Sequence, residues 1–141
     1  MVDRIDHYAA SGGPYGLGFV RGGIRVDPGA WFFEAHFYQD PVWPGSLGLE
    51  GFLQLLKYAA AERWRAGQRP RFEVLAPGEE HAWVYRGQVI PRDARVTIDM
   101  YVSAVDDDRR TMRADGYLEV DGRVIYQMNG FEIRLIDGDS A

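Results

Sequence analysis

The sequence predicts an α+β domain in which an antiparallel sheet of five to six strands curls around one long central helix. Three observations carry this. A single stretch, between Pro44 and Trp64, has helical spacing and is apolar on most sides; the chain after about residue 79 alternates with period two; and the turns joining those later strands are short. Parallel pairing needs crossovers of a dozen or more residues, so the strands form a meander. One buried helix and one meander hide their apolar faces together when the sheet wraps the helix.

The elements follow in order. Residues 14–26 alternate weakly, with Tyr15, Leu17 and Phe19 on one face and glycines between them, which predicts a strand that bends or lies close to another backbone. Asp27-Pro28-Gly29 marks a turn. In the helix, Leu49, Phe52, Leu53, Leu56 and Ala60 follow i, i+3, i+4, i+7 spacing, and Leu47 and Leu55 cover much of the remaining surface. Pro44 is tolerated at the entrance because its missing N–H would have no helical partner, and Gly67 followed by Pro70 supplies the expected stop. Strands are then expected near 79–90, 94–105, 111–120 and 123–135, with Asp121-Gly122 as the hairpin turn before the last.

Composition narrows the function. The 141 residues read as a single domain, 1–141, and 46% hydrophobic with 26% charged residues is a globular balance. The absence of cysteine removes disulfides, thiolate zinc sites and cysteine nucleophiles. A net charge of −5 argues against nucleic acid as a partner. Asp3 and Asp6 stand where a signal peptide needs a basic start, so the cytoplasm is the expected compartment. The most apolar tract, Pro41 to Leu56, spans 16 residues and contains Glu50, too short and too polar for a membrane span.

Glu50 is the one charged residue between Asp40 and Lys57. In a deeply buried helix its carboxylate would be disfavoured, so it is expected either to find a partner or to hold its proton. Ser46 lies one turn before it and Gln54 one turn after, giving a polar stripe on an apolar helix. A structural acid at a sheet opening is the plainer reading of the same pattern. His36 sits in the aromatic run Trp31-Phe32-Phe33-Glu34-Ala35-His36-Phe37, and a histidine in such company is more often a packing residue than a catalytic one. His7 and His81 have no carboxylate or hydroxyl at a suggestive spacing and read as structural or solvent-exposed; three scattered histidines predict no metal site. Pro44-Gly45-Ser46 forms the helix entrance, where free N–H groups suit either simple capping or an oxyanion. An imidazole, an acid and helix N–H groups within fifteen residues suit proton abstraction beside a thioester carbonyl.

The run from Trp31 through Glu50, with His36-Phe37-Tyr38-Gln39-Asp40-Pro41-Val42-Trp43-Pro44-Gly45-Ser46 at its centre, resembles the active-site signature of the hot-dog-fold β-hydroxyacyl-acyl-carrier-protein dehydratases. It is especially similar to the hydroxydecanoyl dehydratase/isomerase group and to the dehydratase domains of polyunsaturated fatty acid synthases. The likeness extends to Val2-Asp3-Arg4-Ile5 as an opening strand, Gly87-Gln88-Val89-Ile90-Pro91 as a middle turn and Val120-Asp121-Gly122-Arg123 in the last hairpin.

The resemblance implies roles position by position. His36 matches the base that removes the α-proton, and Val42 the residue whose carbonyl orients that imidazole. Glu50 matches the acid that protonates the departing β-hydroxyl, Gly45 the glycine whose N–H receives the thioester oxygen, and Gln54 the polar residue that holds the acid. Trp43 stands where methionine is usual and is expected to reshape the acyl tunnel, with Ser46 beside it at the substrate. Glutamate at 50, where the isomerising group has aspartate, favours dehydration alone; Gln39 is similar to the polyunsaturated synthase branch, and Gly51 replaces a usual alanine. The resemblance further implies no cofactor, with the substrate carried on the phosphopantetheine of an acyl carrier protein. It implies a homodimer with histidine and acid of each site on opposite protomers, or a domain excised from a larger synthase. Arg63, Arg65, Arg69 and Arg71 are a candidate patch for an acidic carrier, or equally cations placed at the negative end of a helix dipole. Two other readings stay open: a hot-dog thioesterase, and a non-catalytic module of a larger synthase.

Overall fold

The computed structural model describes residues 2–30, 45–75, 82–85, 87–90 and 93–136. Seven strands among them form one antiparallel sheet: β1 (Arg4–Ala9), β2 (Phe19–Arg25), β3 (Arg71–Leu75), β4 (Ala82–Tyr85), β5 (Arg95–Asp106), β6 (Thr111–Val120) and β7 (Arg123–Ile136). Their order is β1-β2-β5-β6-β7, and both β3 and β4 pair with the far edge of β7. Leu75 opposes Glu132 and Ala82 opposes Asn129, so β3 and β4 follow one another along β7 and together fill the sixth position of the sheet. The expected meander is present as β5-β6-β7, but the run expected near 79–90 does not begin it: β4 pairs with β7 and forms, with β3, an outer strand in two pieces, while β5 takes β2 as its other neighbour.

The helix α1 (Gly45–Arg63) crosses the concave side and touches β2, β5, β6 and β7. Phe52, Leu55, Leu56 and Ala59 face the sheet and are at most 2% exposed. The Phe52 ring meets Phe131 edge-on at 5.8 Å. Gly116, on β6, leaves room for that ring: a Cβ there would sit 2.6 Å from Phe52 and 2.3 Å from the Asp99 carbonyl oxygen. Burial of such a side chain stabilises the fold by about 2 kcal/mol.

Three further sequence expectations need correction. The helix is stopped by Arg65, not Gly67: Arg65 adopts φ 47°, and the chain turns so that the Ala66 N–H donates to the Ala61 carbonyl at 3.0 Å. The strand expected over 14–26 forms only from Phe19, because Gly13, Gly16 and Gly18 take positive φ and fold the preceding residues into turns. Arg71–Leu75 is a strand that period-two reading missed. The Asp27 and Asp121 turns form as expected: the Ala30 N–H donates to the Asp27 carbonyl at 3.1 Å, and Asp121 and Gly122 have φ 46° and 88°.

Candidate functional site

The first half of α1 holds three of the residues singled out from the sequence, Gly45, Glu50 and Gln54. Gly45 is its first residue, so the N–H groups of the opening turn have no intrahelical acceptors and present the positive end of the helix dipole. Glu50 and Gln54 lie one turn apart on the face turned away from Phe52 and Leu55. Glu50 is exposed in the single chain, which corrects the expectation of a buried acid. The physical reason is that the sheet covers only one side of the helix here, and the flanking Leu47 and Leu49 are themselves half-buried. Leu47 and Leu49 are thus only partly covered in one chain, beside an exposed carboxyl.

Gln54 is half-buried and does something the sequence did not disclose: its Oε1 accepts the Val2 backbone N–H at 2.9 Å. Residues 2 and 3 form a strap that links the helix to β2. The Asp3 N–H donates to the Gly23 carbonyl at 2.9 Å, the Asp3 carboxylate accepts the Arg25 N–H, and Val2 packs against the core. Only the similarity of Val2-Asp3-Arg4-Ile5 to an opening strand hinted that this segment matters.

On the sheet-facing side two glycines bring the helix close. A Cβ at Gly48 would lie 2.3 Å from the Tyr126 ring and 2.8 Å from Leu118; at Gly51 it would meet Ile98 at 2.8 Å and Ile24 at 3.1 Å. Gly51 in place of alanine is therefore a packing feature of this helix.

His36, Val42, Trp43 and His81 lie outside the described residues, as does the side chain of Ser46, whose backbone is in the first turn of α1. The structure thus brings Gly45, Glu50 and Gln54 together on one helix. His7 is exposed on β1, with its ring 5.9 Å from that of Phe19, in line with the expectation of a structural or solvent-exposed residue. Of the arginines offered as a carrier patch, Arg63 is already engaged: Nε and Nη2 donate to the two Asp107 oxygens at 2.9 and 3.1 Å. Trp64 Nε1 donates to the same carboxylate at 2.7 Å, and these bonds hold its pKa down at about 2. Arg65, Arg69 and Arg71 remain exposed.

Asp99 was not singled out from sequence, yet it is the one buried charged residue among the described residues, 8% exposed, and takes a two-pronged contact from Arg21 at 2.6 and 2.9 Å. That contact holds the guanidinium firmly protonated. Arg21 also sits 5.8 Å over the Phe19 ring, so the pair braces β2 against β5. An open hollow of 620 Å³ lies beside the strap, lined by Asp3, Arg4, Arg25 and Val26, and a 260 Å³ cavity lies at the far end of the helix between Tyr8, Leu17, Ala59 and Glu62; Glu50 lines neither. No described helix is long and apolar enough to cross a membrane.

A family model described as a FabA-like domain matches residues 1–129. One of the subunits of a polyunsaturated fatty acid synthase from a Thraustochytrium strain is 36% identical over 147 aligned residues, covering 99% of this chain and 10% of that protein. The chain therefore spans about a tenth of that relative. Among solved structures, the dehydratase heterocomplex ApeI:P from Xenorhabdus doucetiae superposes with a TM-score of 0.63 at 13% identity, covering 85% of this chain and 76% of the other. A mutant of a Staphylococcus aureus thioesterase superposes with a TM-score of 0.63 at 15% identity, covering 94% and 91%. At these identities the two structures show a shared hot-dog fold and nothing finer.

Proposed function

This chain belongs to the FabA-like domain family, and from that premise we propose that it dehydrates β-hydroxyacyl thioesters to trans-2-enoyl thioesters, with the His36 imidazole as base and the Glu50 carboxyl as acid. One observation carries the reading: Glu50 and Gln54 share the exposed face of the helix that Gly45 opens, so acid, amide and free N–H groups occupy one short stretch of α1.

The step balances without a redox partner. The imidazole removes the α-proton, and the electron pair forms the new Cα–Cβ double bond. The β-hydroxyl leaves with the proton of Glu50 as water. Negative charge gathering on the thioester oxygen is met by the Gly45 N–H at the positive end of α1. The proton gained by His36 then returns to Glu50 through solvent, and the site is reset. A neutral imidazole and a protonated carboxyl are the two forms this requires.

The acyl group rides on the phosphopantetheine of an acyl carrier protein, and no resident cofactor takes part. Exposure of Glu50 in one chain fits a site completed by a second copy, with His36 of one protomer facing Glu50 of the other. Val42 and Trp43 then border the acyl channel, with Ser46 at its helix-side rim. Arg65, Arg69 and Arg71 offer positive charge to an acidic carrier, while Arg63 is spent on Asp107.

Incubation with a β-hydroxyacyl N-acetylcysteamine thioester, followed both for enoyl absorbance and for free thiol, tests the reading. Enoyl product with no thiol is expected. Thiol release alone means a hydrolase that uses Glu50 to activate water, and neither product, on carrier-bound substrate as well, means a module without turnover.

A further inference from the structure

A carboxamide has one end that accepts and one that donates. Which end Gln54 turns toward Glu50 decides what it does there. The group facing Gln54 from the strap is a backbone N–H, which only donates, so the atom it meets at 2.9 Å is the carbonyl oxygen, Oε1. The Gln54 NH2 is thereby turned away from Val2, at the opposite end of the planar amide. Glu50 lies one helical turn earlier on the same face, within the reach of i, i+4 side chains.

We propose that the Val2 N–H is a positioning group for the acid: it fixes the Gln54 amide with its NH2 toward Glu50, so that Gln54 binds the acceptor oxygen of the carboxyl and leaves the acidic proton free for the departing hydroxyl. The opposite orientation would offer Glu50 a carbonyl oxygen, which accepts the carboxyl proton and withholds it from substrate. The strap is itself anchored, through the Asp3 N–H on Gly23 and the Asp3 carboxylate on the Arg25 N–H, so Val2 is held by β2 and not by the amide alone. The inference rests on the dehydratase reading of Glu50 and adds to it a main-chain group 52 residues from Gln54 in sequence.

Val2→Pro removes the donor and keeps an apolar residue in the strap. Its kcat for enoyl product falls roughly ten- to a hundredfold with little change in KM, because the acid is misdirected while substrate still binds. Val2→Ala keeps the N–H and rescues most of that loss. Gln54→Glu is isosteric, still accepts from Val2 and has no NH2 to donate, so it loses kcat with the thermal transition preserved. Independently of turnover, the Gln54 side-chain NH2 signals in a nitrogen–proton NMR correlation spectrum shift in both Val2→Pro and Glu50→Gln. Unmoved signals in those two variants, or wild-type kcat in folded Val2→Pro or in Gln54→Glu, overturn the proposal. Shifted signals in a protein that forms no enoyl product uphold the coupling of strap, amide and acid and overturn the dehydratase reading instead.

Discussion

Gly48 and Gly51 stand three residues apart on α1, yet an added methyl group would have different consequences at the two positions. At Gly48 it would collide with the rigid edge of the Tyr126 ring and with Leu118; at Gly51 it would press on the movable ends of Ile98 and Ile24. Overpacking costs about 1–3 kcal/mol, whereas alanine for glycine inside a helix returns about 1 kcal/mol. Gly48→Ala is therefore expected to lower the denaturation midpoint clearly and Gly51→Ala to stay within about 1 kcal/mol of the parent, as urea unfolding would measure. The residue scale also shows what sequence did and did not carry. That Glu50 is singular was legible, since it interrupts an apolar tract. That it is exposed was not, because a helix apolar on most sides looks the same whether its sheet or a second chain covers it. The Val2–Gln54 bond had no side-chain signature at all, its donor being main chain.

Among the elements, α1 was legible to within a residue at each end, from spacing and from Pro44. Its C-terminal stop was assigned to Gly67 because glycine is the usual left-handed residue, whereas Arg65 adopts that conformation. The β5–β7 meander was legible because each long strand buries one face and alternates. β3 escaped notice: Arg71-Phe72-Glu73-Val74-Leu75 is short, lies at the edge, and leaves Val74 51% exposed, so its alternation is blurred. Asp107, in the β5–β6 turn, ties that hairpin to the end of α1 through Arg63 and Trp64. Its carboxyl is held at about 2, below the ordinary value of 3.8, so the tether contributes fully above about pH 4 and is lost as pH falls towards 2. Asp107→Asn should melt below wild type near neutrality, and the two melting curves should converge at the acid end. As the carboxylate is solvent-exposed, the gap should also narrow in concentrated salt; a gap that ignores both pH and salt would contradict the charge-based tether.

At the scale of the whole molecule, the sheet closes around one side of the helix and leaves Glu50 on the other. In the proposed dimer a second copy completes the site, and two-fold symmetry would yield two equivalent sites, each with His36 from one protomer and Glu50 from its partner. His36→Ala and Glu50→Gln should each abolish enoyl formation while the fold survives. Mixing the two inactive variants under conditions in which protomers exchange tests this most directly. In a mixed pair one site collects both substitutions and the other collects neither, so random pairing should restore about a quarter of wild-type activity. Recovery of that order, measured as enoyl absorbance, is the predicted result. A mixture that stays inactive although exchange is verified, or either single variant that turns over at the parental rate, would contradict the shared site.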